Sequence, residues 1–457
     1  MEGNLTKGPI MKTLVKLAVP IMASAFLGTL YNITDMAWIG LLGSKAVAGV
    51  GVGGMFTWLS QGLASMARMG GQVQVAQCIG RGDREKAHGF AQAAVQLSAA
   101  MGIAYAVLCL IFVNQMVGFF RLEDVEAQAA ALAYTKIACG LIVFSFLTLT
   151  LTGLYTAQGD SKTPFMANLI GLMTNMILDP VFIFGLRMGI SGAAAATVIS
   201  QCVSFCILFF QCNFRKGCIR LRPGKFTPSL KIYGEILHAG LPSLCRQGLA
   251  SAAAVALNVA ANPFGDAAIA AMSIVTRYMM FINSALIGFG QGFQPVCGFN
   301  FGAKQYDRVL EAFWFCLKVA VILLTTLGVI SFFGAEAIMG LFRKGDLEVI
   351  GIGTWAMRFQ CLTLPFQAWI IMSNMLTQSI GYGFRASIVA AGRQGIFLIP
   401  ALLTLPRFLG ILGLQLCQPI ADVCTSVMAA VIVVSILKEL KVWNEEIQNL
   451  SKKTMDE

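Results

Sequence analysis

Charge is what this sequence has least of. Only 12% of its 457 residues are Asp, Glu, Lys or Arg, against 57% hydrophobic. Soluble domains carry about a quarter charged and just under half apolar residues. No charge at all occurs from Gly89 to Phe120, or from Ile137 to Gly159, and an ordinary soluble core does not need apolar runs of that length. Histidine is nearly absent: His88 and His238 are the only two, and neither stands in a cluster with metal-ligand spacing. A Walker-type phosphate loop is missing, so ATP is not expected as the energy source within this chain, and no cofactor is expected. Neither a nucleophile–base set nor clustered metal ligands stand out, which argues against an enzyme. The 13 cysteines lack any paired spacing. Cys109, Cys139, Cys206, Cys245 and Cys316 fall inside apolar runs and read as small buried thiols rather than a disulfide framework. The apolar stretch after Lys7, Lys12 and Lys16 continues through Asp35 to Leu42 without an A-x-A-type cleavage site. It reads as a first span, not a signal peptide.

The apolar runs themselves are the positive signal. A helix needs about 20 apolar residues to cross the hydrocarbon layer, and only helices or closed barrels satisfy their backbone polar groups in lipid. Alternating barrel strands would not give such long runs. The expectation is an all-α polytopic membrane protein with about twelve transmembrane helices. Its spans fall at about 17–40, 46–78, 89–119, 127–157, 163–186, 190–213, 232–260, 267–299, 309–335, 347–379, 385–407 and 411–437. The net charge of +11 sits mostly between these runs, so membrane topology accounts for it and no nucleic-acid partner is expected. With the N-terminus inside, the inner connections hold most of the basic residues, including Arg81, Arg84, Lys86, Lys162, Lys304 and Arg308. The outer ones hold only Lys45, Arg121, Arg187, Arg343, Lys344 and Arg407. That bias places both termini in the cytoplasm of a multi-pass protein of the cell membrane.

The two halves of the chain are related. Pro20 and Pro242, Gly43 and Gly265, Gln72 and Gln294, and Gly80 and Gly302 are each 222 residues apart. Gln158 and Gln378, and Pro180 and Pro400, stand 220 apart, with Gly192 and Gly413 at 221. A unit with an even number of spans repeats in the same orientation, so the copies form two pseudo-symmetric six-helix bundles about an axis normal to the membrane. The expected division is residues 1–213, a basic cytoplasmic linker 214–230, a second bundle 231–440 and a tail 441–457. A fused, diverged pair enclosing a central cleft favours a carrier of small molecules, working in the lipid bilayer as a monomer.

Carboxylates inside membrane helices cost several kcal/mol and need a reason. Asp35 lies in the first span and Asp179 in the fifth, with Asn175 four residues before Asp179 on the same helix face. Two carboxylates and an amide oxygen can form an oxygen cage for Na⁺, or the pair can share a proton. The competing expectation is that both acids lie near the outer surface and are merely solvated. Asp422 is the acid of the twelfth span, with Arg246, Arg277 and Arg393 in or near other spans of its half. It is expected either to take part in substrate binding or to pair with Arg393 or Arg246. Pro20 and Pro242 interrupt the first spans of the halves and are either hinges or passive kinks. With 47 glycines, close helix packing is the expected use. The 22 methionines and 32 phenylalanines suit both packing and a cleft for lipophilic ligands.

Several of these stretches resemble the multidrug and toxic compound extrusion (MATE) transporters. Asp35-Met36-Ala37-Trp38-Ile39-Gly40 with Gly43, Ala46 and Ala48 is similar to that family's first loop region. Ala157-Gln158-Gly159-Asp160-Ser161-Lys162-Thr163-Pro164 is similar to its fourth-to-fifth helix connection. Asn175, Asp179-Pro180, Gly192-Ala193-Ala194 and Thr197 continue the likeness, as do Gln294-Pro295, Gly298, Gly302-Ala303 and Arg308 in the second half. The resemblance implies twelve helices in two bundles, an outward-open cavity, and export of organic compounds by H⁺ or Na⁺ antiport. Within the prokaryotic DinF-like branch it implies ion ligands at Asp35, Asn175, Asp179 and Thr197, with Na⁺ as the metal if sodium-coupled, and a bend at Pro20. The other prokaryotic branch uses an acid in helix seven, where this chain has Arg246 and no acid. The expectation is therefore an ion-coupled exporter of lipophilic, often cationic, compounds, with Arg246, Arg393 and Asp422 as a possible substrate cleft. The alternative is a lipid-linked oligosaccharide flippase of the same wider fold group, which would give the arginines a pyrophosphate to bind.

Overall fold

The structure, a computed structural model, describes residue 5 and residues 8–120, 124–214, 229–343 and 345–456. Most of the expected linker, 215–228, lies outside the described residues, as do Lys7, Arg121 and Lys344. The described chain is helical and holds no strand. Its first half comprises α1 (Ile10–Gly40), α2 (Ser44–Gly80), α3 (Arg84–Gly118), α4 (Val125–Gly140), α5 (Val143–Ala157), α6 (Lys162–Pro180) and α7 (Ile190–Phe214). The second comprises α8 (Leu230–Ala261), α9 (Asp266–Gly302), α10 (Tyr306–Phe342), α11 (Leu347–Ser379), α12 (Gly383–Ala391), α13 (Leu398–Leu409) and α14 (Ile411–Asp456). Taking α4 with α5, and α12 with α13, gives twelve helical passes in chain order.

Two expected spans differ from the continuous helices the apolar pattern suggests. The stretch 127–157 is broken after Gly140 into α4 and α5, bent by 47°. The twelfth span was expected to end near 437, but α14 runs on to Asp456. Its extension is held by packing rather than by lipid. The Trp443 ring packs, tilted, against Tyr306 and Phe301 with centroids 5.6 Å and 6.3 Å away, and Asn444 Nδ2 donates to Asp307 Oδ1 at 2.6 Å.

Nine helices among the described residues are long and apolar enough to cross a bilayer, or ten with the bent pair. The two passes left over are α2 and α11, and their surroundings give the reason. α2 packs against α3, α4 and α5, and α11 against α9, α10, α12 and α14. A helix wrapped by protein does not have to be apolar all round. α2 buries Ser60, Gln72 and Gln77, and α11 buries Gln360, Gln367, Asn374 and Gln378.

Short polar turns set the helix starts. Asp83 precedes α3 and accepts from the Lys86 N–H at 3.0 Å. That bond first, and the Lys86 ammonium second, hold its carboxyl below the usual carboxylate range. Asp124 and Asp346 cap α4 and α11 in the same way. The internal repeat is visible in the backbone. Gly43 and Gly265 take φ of 104° and 88° before α2 and α9, and Gly82 at 80° is matched by Lys304 at 58°. The lysine bears the left-handed conformation that glycine adopts without strain.

The chain divides into two compact units, Lys16–Gly240 with Met1–Leu5, and Leu241–Glu457 with Thr6–Val15. The first unit thus includes the opening turns of α8. They are seated on α2 by a crossing of two glycines. A Cβ on Gly70 would overlap the Ile236 carbonyl, and one on Gly240 would overlap the Met66 carbonyl. Small residues let helix backbones approach closely in membranes. Tyr233 OH adds a bond to Gln96 Oε1 at 3.0 Å.

Candidate functional site

In the first unit, α1, α6 and α7 bring Asp35, Asn175, Asp179 and Thr197 together. Asn175 and Asp179 lie one helical turn apart on α6, both 1% exposed. Pro180 follows at once; its missing N–H ends the regular pattern, and a π-helical turn, Val181–Gly185, takes over. Gly171 lets α6 approach α7, since a Cβ there would overlap Ser204 Oγ. With its amide oriented to suit both neighbours, Asn175 donates to Asp179 Oδ2 at 2.9 Å and accepts from the Thr197 N–H at 3.2 Å. Asp35 and Asp179 lie close enough for their carboxyl groups to interact directly. Asp35 Oδ1 is buried with no hydrogen-bond partner. Tyr31, one turn before Asp35, meets Thr197 Oγ1 at 3.1 Å.

Both acids are buried, Asp35 at 8% exposure, so the expectation that they are merely solvated does not hold. They differ in access. Asp35 and Thr197 line a cavity of about 440 Å³ together with Tyr31, Trp58, Gln61 and Tyr134. Asn175 and Asp179 lie outside that lining. The arrangement joins a buried acid pair to a chamber walled by aromatic rings and an amide. Burial of that kind makes a carboxylate demand a cation or a proton. Pro20 lies within the same helix as Asp35, about 22 Å away along its axis. α1 runs through it unbroken, and the Pro20 carbonyl accepts from Ser24 Oγ at 3.0 Å.

In the second unit Arg246 and Asp422 take different partners. Arg246 donates to Asn374 Oδ1 at 3.3 Å, whereas Asp422 pairs with Arg393 Nε at 2.8 Å. Of the two partners open to Asp422 from the sequence, the structure selects Arg393. Asp422 itself is 0% exposed.

Tyr31, Trp58, Gln61 and Tyr134 were not singled out from the sequence. For Tyr31 a signal existed, because it precedes Asp35 by one helical turn on the same face. The others come from α2 and α4, and nothing local marks them.

The model of the MatE family matches residues 20–181 and again 242–403, once in each half. The chain belongs to the MatE family. It is accordingly a membrane transporter with two helical lobes, not an enzyme. Among curated relatives, a multidrug export protein MepA of Staphylococcus saprophyticus is 24% identical over 437 residues, 95% of either chain. The MepA of Staphylococcus haemolyticus is 24% identical over 436 residues, again 95% of either chain. Among solved structures, a MATE protein in its bent conformation superposes with a TM-score of 0.89 at 24% identity, covering 96% of this chain and 97% of that one. A transporter of the MOP superfamily from Pyrococcus furiosus, described as having a binding pocket of reverse polarity, gives 0.89 at 23% identity, covering 96% and 98%.

Proposed function

We propose that this family member is a secondary active antiporter that exports small lipophilic, often cationic, organic compounds in exchange for H⁺ or Na⁺. The observation that carries this reading is the shared carboxyl. Asp35 is the close neighbour of Asp179 and also lines the aromatic-walled chamber. A lipophilic cation in the chamber and a coupling ion at the acid pair would compete for the same negative charge, so each is favoured in a different state. Antiport requires that difference in affinity between states. In the Na⁺ variant, oxygens of Asp35, Asp179, Asn175 and Thr197 form the cage; in the H⁺ variant the acids exchange protons. Pro20 is the hinge at which α1 responds. One charge crossing 100 mV supplies about 2.3 kcal/mol, more than a tenfold concentration ratio requires. The multidrug export proteins among its relatives support the substrate class. The protein works as a monomer in the cell membrane with both termini in the cytoplasm.

The test is uptake of a fluorescent lipophilic cation into everted vesicles, driven first by a pH gradient and then by a Na⁺ gradient, for wild type and Asp35→Asn. Uptake with one gradient, lost in the variant, supports the reading and identifies the ion. Folded protein that transports with neither gradient refutes it and turns attention to the flippase alternative.

A further inference from the structure

The second unit holds a counterpart of the chamber wall. The repeat places Gln418 and Asp422 of α14 where the first unit has Thr197 and Gln201 of α7, each pair 221 residues apart. Thr197 and Gln201 line the chamber. Their counterparts do not face open space. Asp422 Oδ1 accepts from Arg393 Nε at 2.8 Å and Gln418 Nε2 at 3.0 Å, and Oδ2 accepts from Gln367 Nε2 at 2.7 Å and Thr363 Oγ1 at 3.3 Å. Arg393 stands on a π-helical turn, Gly392–Ile396, the kind of irregularity found at functional sites. Gly392 makes its reach possible. A Cβ there would overlap the terminal methyl of Met428 and lie 3.1 Å from Thr425 Cγ2, both on α14. Gln367 is 0% exposed, and its Oε1 is buried without a hydrogen-bond partner.

The two units therefore treat a buried carboxylate oppositely. Asp35 keeps an oxygen unpartnered, whereas Asp422 is saturated by donors, one of them a cation of the chain itself. We propose that the Asp422 pocket is a monovalent-cation site that the chain fills with the tethered guanidinium of Arg393. Of these two carboxylate sites, the first unit's acid pair is then the one left open to an exchangeable cation. This second clause rests on the reading of Asp35 and Asp179 given above; the binding claim does not. A tethered group competes at a high effective concentration, so free cations do not enter while Arg393 is present. Once it is removed, the charged carboxylate remains with only the neutral groups of Gln418, Gln367 and Thr363 around it. The ligand class they suit is a small guanidinium or an alkali cation.

The experiment is thermal unfolding of the full chain in detergent, with guanidinium chloride at millimolar, non-denaturing concentration and N-methyl-D-glucamine chloride, whose cation is too large for the pocket, as the ionic-strength control. Arg393→Ala should melt below wild type and recover most of the loss on adding guanidinium. Wild type and Arg393→Ala/Asp422→Asn should not respond. Arg393→Ala/Asp35→Asn should respond as Arg393→Ala does. The proposal is overturned if Arg393→Ala gains nothing, if all proteins respond equally, or if the response follows Asp35 rather than Asp422. Should Arg393→Ala not fold alone, it is purified with guanidinium present throughout; folded protein recovered only under that condition supports the proposal, and none recovered overturns it. Failure of ion-driven transport in vesicles would leave these melting results standing, so the two readings fail separately.

Discussion

The glycine crossing of α2 and α8 permits a quantitative test. A methyl at Gly70 or Gly240 would collide with a backbone carbonyl, which cannot swing aside as a side chain can. The helices must part by about 1–2 Å before an ordinary contact returns, in an interior as dense as an organic crystal. Overpacking of that kind costs about 1–3 kcal/mol, or roughly 2–12 °C in Tm for a unit of some 200 residues. Gly70→Ala and Gly240→Ala should each show such a fall when tryptophan fluorescence is followed through melting. The decisive quantity is the double variant. Gly70 faces Ile236 and Gly240 faces Met66, so the two contacts belong to one crossing a single turn apart. Once the first methyl has parted the helices, the second enters space already opened. The double variant should therefore lose less than the sum of the singles by more than about 0.5 kcal/mol, the limit within which independent sites add. Additive losses, or a single variant that melts like wild type, would refute the account of a shared close approach.

Further outcomes follow from the two polar centres. Asp422→Ala strands Arg393 and three neutral donors in a buried site and should cost about 3–5 kcal/mol, whereas Asp422→Leu with Arg393→Met should cost far less; melting of both proteins checks the order. Gly171→Ala should spread α6 from α7, since its Cβ would lie 2.9 Å from the Ser200 carbonyl as well as overlapping Ser204 Oγ. The Asn175–Thr197 bond would lengthen, and gradient-driven uptake should fall about tenfold, equivalent to 1.4 kcal/mol, in protein that remains folded. Tyr31→Phe removes the 3.1 Å contact with Thr197, worth about 1 kcal/mol, and should weaken half-saturation by the coupling ion about fivefold in transport assays.

Much of the architecture was legible because lipid imposes a strict rule on composition. Apolar length located all twelve passes, and the repeat related those of one half to those of the other. The same rule explains what was hidden. The break between α4 and α5 follows Gly140 in a run with no charge or proline to mark it, so hydropathy reads straight across. The extension of α14 is fixed by Trp443 meeting Tyr306 and Phe301, a contact between distant parts of the chain. At the site, Asp35 and Asp179 stood out because acids are costly in apolar helices, and Asn175 followed by helical spacing. The fate of Asp422 did not follow. Arg246 and Arg393 are equally eligible on composition, and only the π-helical turn at Gly392 brings one of them into reach.

The polar character of α2 and α11 bears on biosynthesis. Insertion machinery releases segments sideways into lipid according to their own apolarity, and neither helix meets that standard while its neighbours do. Each must therefore be stabilised in the bilayer by an adjoining helix, α3 for one and α10 for the other, before it can stay there. In a nascent chain cut after α2, α1 should be inserted but α2 poorly retained across the bilayer, whereas in one cut after α3 both α2 and α3 should be integrated. The interior polar residues that shape the finished bundles thus also impose an order on how the protein is assembled.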